Sequence, residues 1–232
     1  MNWTPPLKPA ELTEERLIVA ILDGTFPADS NLPAERELAV QLGVTRPTLR
    51  EALQRLARDG WLEIRQGKPT RVRNYLQEGN LAVLAAIAQH REKLPADFIP
   101  NLLYVRILMA PAYTRLAAEH NPQQVLALLD TYAALPETPE AYCDFDMQLH
   151  RTLTIASGNP VFTLIWNGFQ NLYTVTGRIY FAHLEGRQSS RRFYHDLQQC
   201  FQQHDVEGAA RLAEQVMADS LKIWENIAAS SH

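Results

Sequence analysis

PAERELAVQLGVTRPTLREALQRLARDGWLEIRQGKPTRVR, running from Pro33 to Arg73, spells two helices, a sharp turn between them and a basic hairpin. Pro33 suits the entry to a helix, and Leu38, Ala39 and Leu42 put an apolar stripe along Ala34–Leu42. Gly43 supplies the left-handed residue that closes that helix and permits a tight turn. Thr45 can cap the next helix, since its hydroxyl accepts from orphan amides of the first turn, and Pro47 sits where a missing N–H costs nothing. Leu49, Leu53 and Leu56, with Ala52 and Ala57, then form an inward stripe that Gly60 ends. Trp61–Arg65 alternates like a short strand, Gln66-Gly67-Lys68-Pro69 has turn composition, and Thr70–Arg73 alternates again. The alternative is an amphipathic helical hairpin with solvated charges. Helix, glycine turn, capped helix and basic hairpin fall in the order of a winged helix-turn-helix, which favours that fold.

Charge points to the same partner. This window carries nine Lys/Arg against five Asp/Glu, while the other residues carry 13 against 21. A basic island in an otherwise acidic chain is an electrostatic footprint for nucleic-acid phosphates. Arg46, Thr48 and Arg50 cluster at the N-terminal end of the second helix, where a recognition helix touches base edges and phosphates. A hairpin tipped by Gly67 and Lys68 can lie close to a phosphate or reach into a minor groove.

The rest of the chain reads as helical. Before the motif, Glu11–Asp23 is expected to be a helix capped by Thr13, striped by Leu17, Ile18 and Ile21 and ended by Gly24. Asn74–Gly79 is a polar candidate linker, giving a DNA-binding domain over 1–75 and an effector domain over 76–232. Helical windows follow at Asn80–His90, Asp97–His120, Pro122–Ala134, Pro139–Ala156, Pro160–Arg178, Ser189–Gln203 and Val206–Ala229. Short loops join them, so an antiparallel bundle of six or seven helices is expected, with Pro111 bending the second window. The fold class is mostly α: an N-terminal winged helix-turn-helix and a C-terminal all-α bundle.

With 232 residues and 46% hydrophobic content, the chain can fill two modest cores. Cys143 and Cys200 lack C-x-x-C spacing, so reduced thiols are expected. The longest apolar run, Leu81–Ala88, is too short to span a bilayer, and no secretory signal precedes Leu12. A soluble, cytoplasmic protein is expected. The chain carries no G-x-S-x-G elbow, Walker loop or G-x-G-x-x-G fingerprint, so neither catalysis nor a cofactor is expected.

Pro33–Leu38 (PAEREL), Gly43–Arg46 (GVTR), Thr48–Glu51 (TLRE), Leu53–Leu62 (LQRLARDGWL) and Gly67–Thr70 (GKPT) together resemble the GntR family of bacterial transcription regulators, in its FadR branch. The resemblance continues through Asn101–Leu103, Val105-Arg106, Ala156–Pro160 (ASGNP), Leu172–Thr174, Gly177-Arg178, Tyr180–Ala182, Ser220 and Ile223-Trp224. It thus covers nearly the whole chain. Other branches of the family carry a fused aminotransferase, which needs a far longer chain, or a chorismate-lyase-like domain, which needs several strands. The resemblance implies a homodimer on a palindromic operator, a repressor or activator of fatty acid metabolism genes, released by long-chain acyl-CoA. Arg36, Arg46 and Arg50 would then supply base-edge and phosphate contacts, Thr45 and Thr48 hydroxyl contacts, and Gln66-Gly67 the wing's groove contact. Arg106, Tyr173, Tyr180, His195, Ser220 and Trp224 match positions around the family's acyl-CoA pocket, with Leu102 beside them in the apolar space for the tail. Val216-Met217-Ala218, just before Ser220, departs from the family pattern and bears on pocket shape and chain-length preference.

Asp146 and His150, four apart on one helix face, match with His195 a metal site found in other relatives. The last helix offers Ser220 where those relatives add a further His. A metal-dependent small-carboxylate sensor is therefore the alternative regulator, and a metal-dependent hydrolase the alternative from another class. The plainer role for Asp146 and His150 is a polar core pair, and no metal is expected.

Overall fold

The computed structural model describes residues 8–88, 90 and 97–230. The chain divides into two compact units, residues 1–94 and 95–232, whereas the boundary expected from composition lies at 75/76. In the first unit, α1 (Pro9–Leu22), α2 (Glu35–Leu42) and α3 (Arg46–Asp59) precede a two-stranded antiparallel hairpin, β1 (Leu62–Glu63) and β2 (Arg71–Val72). Two further helices follow, α4 (Tyr75–Glu78) and α5 (Leu81–Ala88). The expected stripes form most of the core: Leu17, Ile18, Ile21, Leu38, Ala39, Leu49, Ala52, Leu53 and Leu56 are buried, while Leu42 and Ala57 are half-buried.

Three local details differ from the sequence reading. Thr13 does not cap α1: the helix starts at Pro9, and Glu11 accepts from the Lys8 amide at 3.0 Å, as a carboxylate at the third helical position does. Thr13 lies buried within the helix, its hydroxyl donating to the Pro9 carbonyl at 2.6 Å. The candidate linker at Asn74–Gly79 contains α4, whose Tyr75 ring packs on buried Trp61 at 5.0 Å between centroids. The window at Asn80–His90 becomes α5, which packs on α3 in the first unit; Gln89 lies outside the described residues.

The second unit contains α6 (Phe98–His120), α7 (Pro122–Leu129), a 3-10 turn (Tyr132–Ala134), α8 (Pro139–Ala156), α9 (Pro160–Ala182), α10 (Leu184–Gln202) and α11 (Val206–Ser230). α6 stays one helix through Pro111, and the Pro122–Ala134 window splits into α7 and the turn. α9 and α10 run longer than their windows and meet at His183 alone, whose ψ of 133° breaks the helical path. α6 packs along α11 and α8 along α9. Their core holds Tyr113, Leu129, Tyr142, Phe145, Leu149, Trp166, Phe181, Phe193, Tyr194 and Phe201. Among the described residues, no helix is long and apolar enough to cross a membrane.

Candidate nucleic-acid interface and ligand cavity

The turn between α2 and α3 follows from three residues. Gly43 adopts φ +67°, where a side chain would be strained, and reverses the chain. Arg16 of α1 donates to the Leu42 carbonyl at 3.1 Å, occupying one of the orphan acceptors at the end of α2. Thr45 caps α3, accepting from the Thr48 amide at 3.4 Å and sharing a 2.8 Å hydroxyl contact with Thr48. The N-terminus of α3 therefore presents Arg46 on a fixed first turn, where amide groups and helix dipole also favour an anion.

The basic island is less free than its formal charge. Arg55 pairs with Glu14 and Glu51, Arg58 with Asp59, Arg65 with Glu63, and Arg50 with Glu35 at 2.7 Å. Arg71 gathers three carboxylates, Asp29 at 2.6 Å, Glu63 at 2.9 Å and Glu78 at 2.7 Å, and so ties β2 to the loop after α1 and to α4. Bonds from Arg65 and then Arg71 hold the Glu63 carboxyl below its usual range. That hub is structural, and counting charges in the sequence could not separate it from ligand-facing bases. Arg36, Arg46 and Lys68 are exposed and carry no ion pair among the described residues. Gln66 and Gly67 form the exposed tip of the hairpin, Gly67 at φ +71° with open space around its Cα. Arg36, Arg46, Thr45, Thr48 and Arg50 thus lie on or beside the helix-turn-helix, and Gln66-Gly67 caps the wing.

In the second unit a narrow cavity of about 40 Å³ opens among α6, α8, α9, α10 and α11. Leu102 and Arg106 reach it from α6, Tyr173 and Tyr180 from α9, and Ser220 and Trp224 from α11. These six are all sequence-nominated. The seventh, His195, is not there. It sits exposed on α10, bonded to the Tyr132 hydroxyl at 3.0 Å and Gln199 at 2.9 Å, beside a separate surface hollow with Arg191 and Arg192. The reason is helical phase: buried Ser190, Phe193, Tyr194 and Leu197 mark the inward face of α10, and position 195 falls off it. Sequence reasoning missed Thr176, Ser190 and Phe193 in the lining, whereas Val216 and Met217, singled out as bearing on pocket shape, are there. The i, i+3, i+7 spacing of Ser190, Phe193 and Leu197 within the expected window was the signal that could have found that face.

A buried polar cluster forms part of the cavity wall, with Asp146 in the lining, and continues behind it to His150. Asp146 accepts from the Tyr194 hydroxyl at 2.8 Å and from the Tyr173 hydroxyl. Arg106 stacks over the Tyr173 ring at 4.9 Å and the Trp166 ring at 6.0 Å, and donates from Nη2 to His150 Nε2 at 3.0 Å. Its distance to Asp146 is 4.0 Å, too long for a hydrogen bond, and its buried Nε has no partner among the described residues. His150 Nδ1 meets the Tyr113 hydroxyl at 2.8 Å. Burial pushes the His150 ring down to about 4; nearby Asp146 opposes this and Arg106 adds to it. Asp146 and His150 approach to 3.5 Å, but His195 is elsewhere, and among the described residues no three His, Cys, Asp or Glu side chains gather as a metal site.

Comparison with known proteins divides the chain after residue 72. Residues 9–72 match the profile described as "Bacterial regulatory proteins, gntR family", and residues 73–230 match "FadR C-terminal domain". A protein named fatty acid metabolism regulator protein from Pasteurella multocida is 43% identical over 234 residues, covering 99% of this chain and 97% of its own. Proteins of that name from Shewanella amazonensis and Klebsiella pneumoniae are each 41% identical over 219 residues, with 94% of this chain and 91% and 92% of theirs covered. Among solved structures, Listeria monocytogenes Lar, titled as controlling expression of the agr system, superposes with TM-score 0.63 at 17% identity, covering 96% of this chain and 98% of that one. At that identity the likeness speaks for the fold.

Proposed function

This chain belongs to the GntR family of bacterial transcription regulators, with the FadR type of C-terminal domain, and from that premise we propose that long-chain acyl-CoA is its effector. It is a transcription regulator and not an enzyme. Its relatives' name carries over here as the process it controls, fatty acid metabolism. In this proposal a homodimer reads a palindromic operator, with Arg46 leading each half-site and the Gln66-Gly67 wing tip in the adjacent groove. Acyl-CoA enters the second unit and releases the DNA.

One observation carries the effector assignment: the cavity joins apolar walls from α6, α9 and α11 to a buried guanidinium, Arg106. Apolar space suits an acyl tail, and a guanidinium suits an acidic or carbonyl group at its head. Closed, the cavity holds only about three water-sized groups at roughly 10–15 Å³ each, so a long tail must spread the helices to enter. That requirement supports a regulatory role, since a ligand shifts a conformational equilibrium only by favouring one state over another. A metal-dependent carboxylate sensor gains no such support, because its third ligand, His195, lies outside the cluster.

Calorimetric titration of the purified protein with acyl-CoAs of increasing length, paired with operator gel shifts, tests the proposal. Each buried CH₂ adds roughly 0.8 kcal/mol, so affinity should rise with tail length until the opened cavity is filled. DNA release should follow the same order. Tight binding of a small carboxylate, with palmitoyl- and oleoyl-CoA inert, would overturn it.

A further inference from the structure

Arg106 is buried in a loose ion pair with a carboxylate yet makes no hydrogen bond to it. Asp146 spends its two oxygens on the Tyr173 and Tyr194 hydroxyls, and the guanidinium stands 4.0 Å away. What holds the guanidinium there is His150. Arginine can only donate, so the 3.0 Å contact requires a lone pair on His150 Nε2; the ring proton must then sit on Nδ1, donating to the Tyr113 oxygen at 2.8 Å. The imidazole is fully enclosed, packed between the tilted Trp166 ring at 5.3 Å and the near-parallel Phe193 ring at 6.4 Å, so its orientation is fixed by packing. A neutral acceptor bonded to Nη2 orients the cation without cancelling its charge. Without it, the Nη2 proton would find its nearest acceptor on Asp146, and the closed ion pair would use donors that an effector oxygen needs.

Resting on the effector reading above, we infer that His150 is a positioning residue: it holds Arg106 off a close hydrogen-bonded pair with Asp146 and facing the cavity, with donors left for an anionic or carbonyl oxygen of the effector. The unpartnered buried Nε of Arg106 is the second sign that this cation awaits a ligand. His150 itself does not line the cavity and need not touch the effector.

The test is a double-mutant cycle on the full-length protein, read by calorimetry with oleoyl-CoA. His150→Leu removes the acceptor and should weaken binding about tenfold, the cost of one hydrogen bond to a charged group. His150→Gln should stay near wild type, because its amide oxygen accepts from Arg106 while its amide nitrogen donates to Tyr113. In an Arg106→Met background, His150→Leu should cost nothing further, since the residue through which it acts is gone. Equal losses in the Leu and Gln variants, or a Leu effect that persists without Arg106, would overturn the inference and leave His150 as packing. Should the Leu variant lose its melting transition, nitrogen-15 histidine spectra of wild type decide instead. A buried ring protonated at Nδ1, missing from the Gln variant, supports the inference, and protonation at Nε2 overturns it. If wild type itself fails to bind oleoyl-CoA, the effector reading falls and takes this inference with it. If wild type and His150→Leu bind equally well, the inference alone falls.

Discussion

Acid should unfold the helical unit through His150, and replacing that one residue should remove much of the effect. The ring is fully enclosed, and its pKa falls from the ordinary 6.5 to about 4, chiefly because burial penalises the charged form. Between those two values the unfolded chain binds a proton at residue 150 and the folded chain does not. Lowering the pH therefore draws the equilibrium towards the unfolded state. The stability at stake is fully present above pH 6.5, is lost as pH falls through the window, and amounts to about 3 kcal/mol by the time pH reaches about 4. That is a large share of the 5–15 kcal/mol typical of a domain. Urea unfolding followed by circular dichroism, from neutral pH down to about pH 4.5, measures it for wild type and His150→Gln. The glutamine cannot titrate, so contributions from every other acid and histidine are common to both proteins and cancel in the difference. Wild type should lose roughly 2–3 kcal/mol more than the variant across that range. Parallel pH profiles for the two proteins would refute the reasoning, for they would mean that His150 titrates normally in the folded state or stays wetted.

At the DNA interface, Arg46→Ala should weaken operator binding by roughly 1–3 kcal/mol. Arg50→Ala should cost less, because Arg50 must first release Glu35; a gel shift showing the reverse order would contradict the assignment of Arg46 as the free base. Gly60→Ala should destabilise the first unit more than Gly43→Ala: both need positive φ, but a Cβ on Gly60 would lie 3.1 Å from the Gly79 Cα, whereas Gly43 has open space. Equal shifts in melting temperature would show that the crossing of Gly60 and Gly79 relaxes freely. Elemental analysis of the purified protein should find no stoichiometric zinc, nickel or manganese, since among the described residues Asp146 and His150 have no third His, Cys, Asp or Glu gathered with them. A metal near one per chain, lost in His150→Ala, would promote the carboxylate-sensor alternative.

The first unit was legible because its signals are local. A glycine at Gly43, a capping threonine at Thr45 and leucines at helical spacing each act within a few residues of themselves, and the structure turns, caps and buries where they stand. The second unit hid its joints for the opposite reason. Two glycines, Gly177 and Gly186, sit in a stretch where composition suggested that one helix ends at Arg178 and the next begins at Ser189, yet both lie inside helices. Neither is there for its backbone freedom. A Cβ on Gly177 would lie 2.9 Å from the Cys143 sulfur, and one on Gly186 would lie 2.7 Å from the Tyr180 carbonyl oxygen. They are small so that α9 can approach α8 and α10 can fold back against the end of α9. The true break, His183, carries neither glycine nor proline and so leaves no local mark. His195 was lost to the same cause. Its match to a pocket position is a statement about one residue, while its direction depends on which face of α10 Phe193 and Leu197 bury. Arg106 and Tyr173, by contrast, could be nominated from sequence but not explained by it. Arg106 makes no hydrogen bond to Asp146, whose two oxygens are engaged by tyrosines from two other helices, an arrangement that exists only once α8, α9 and α10 have packed.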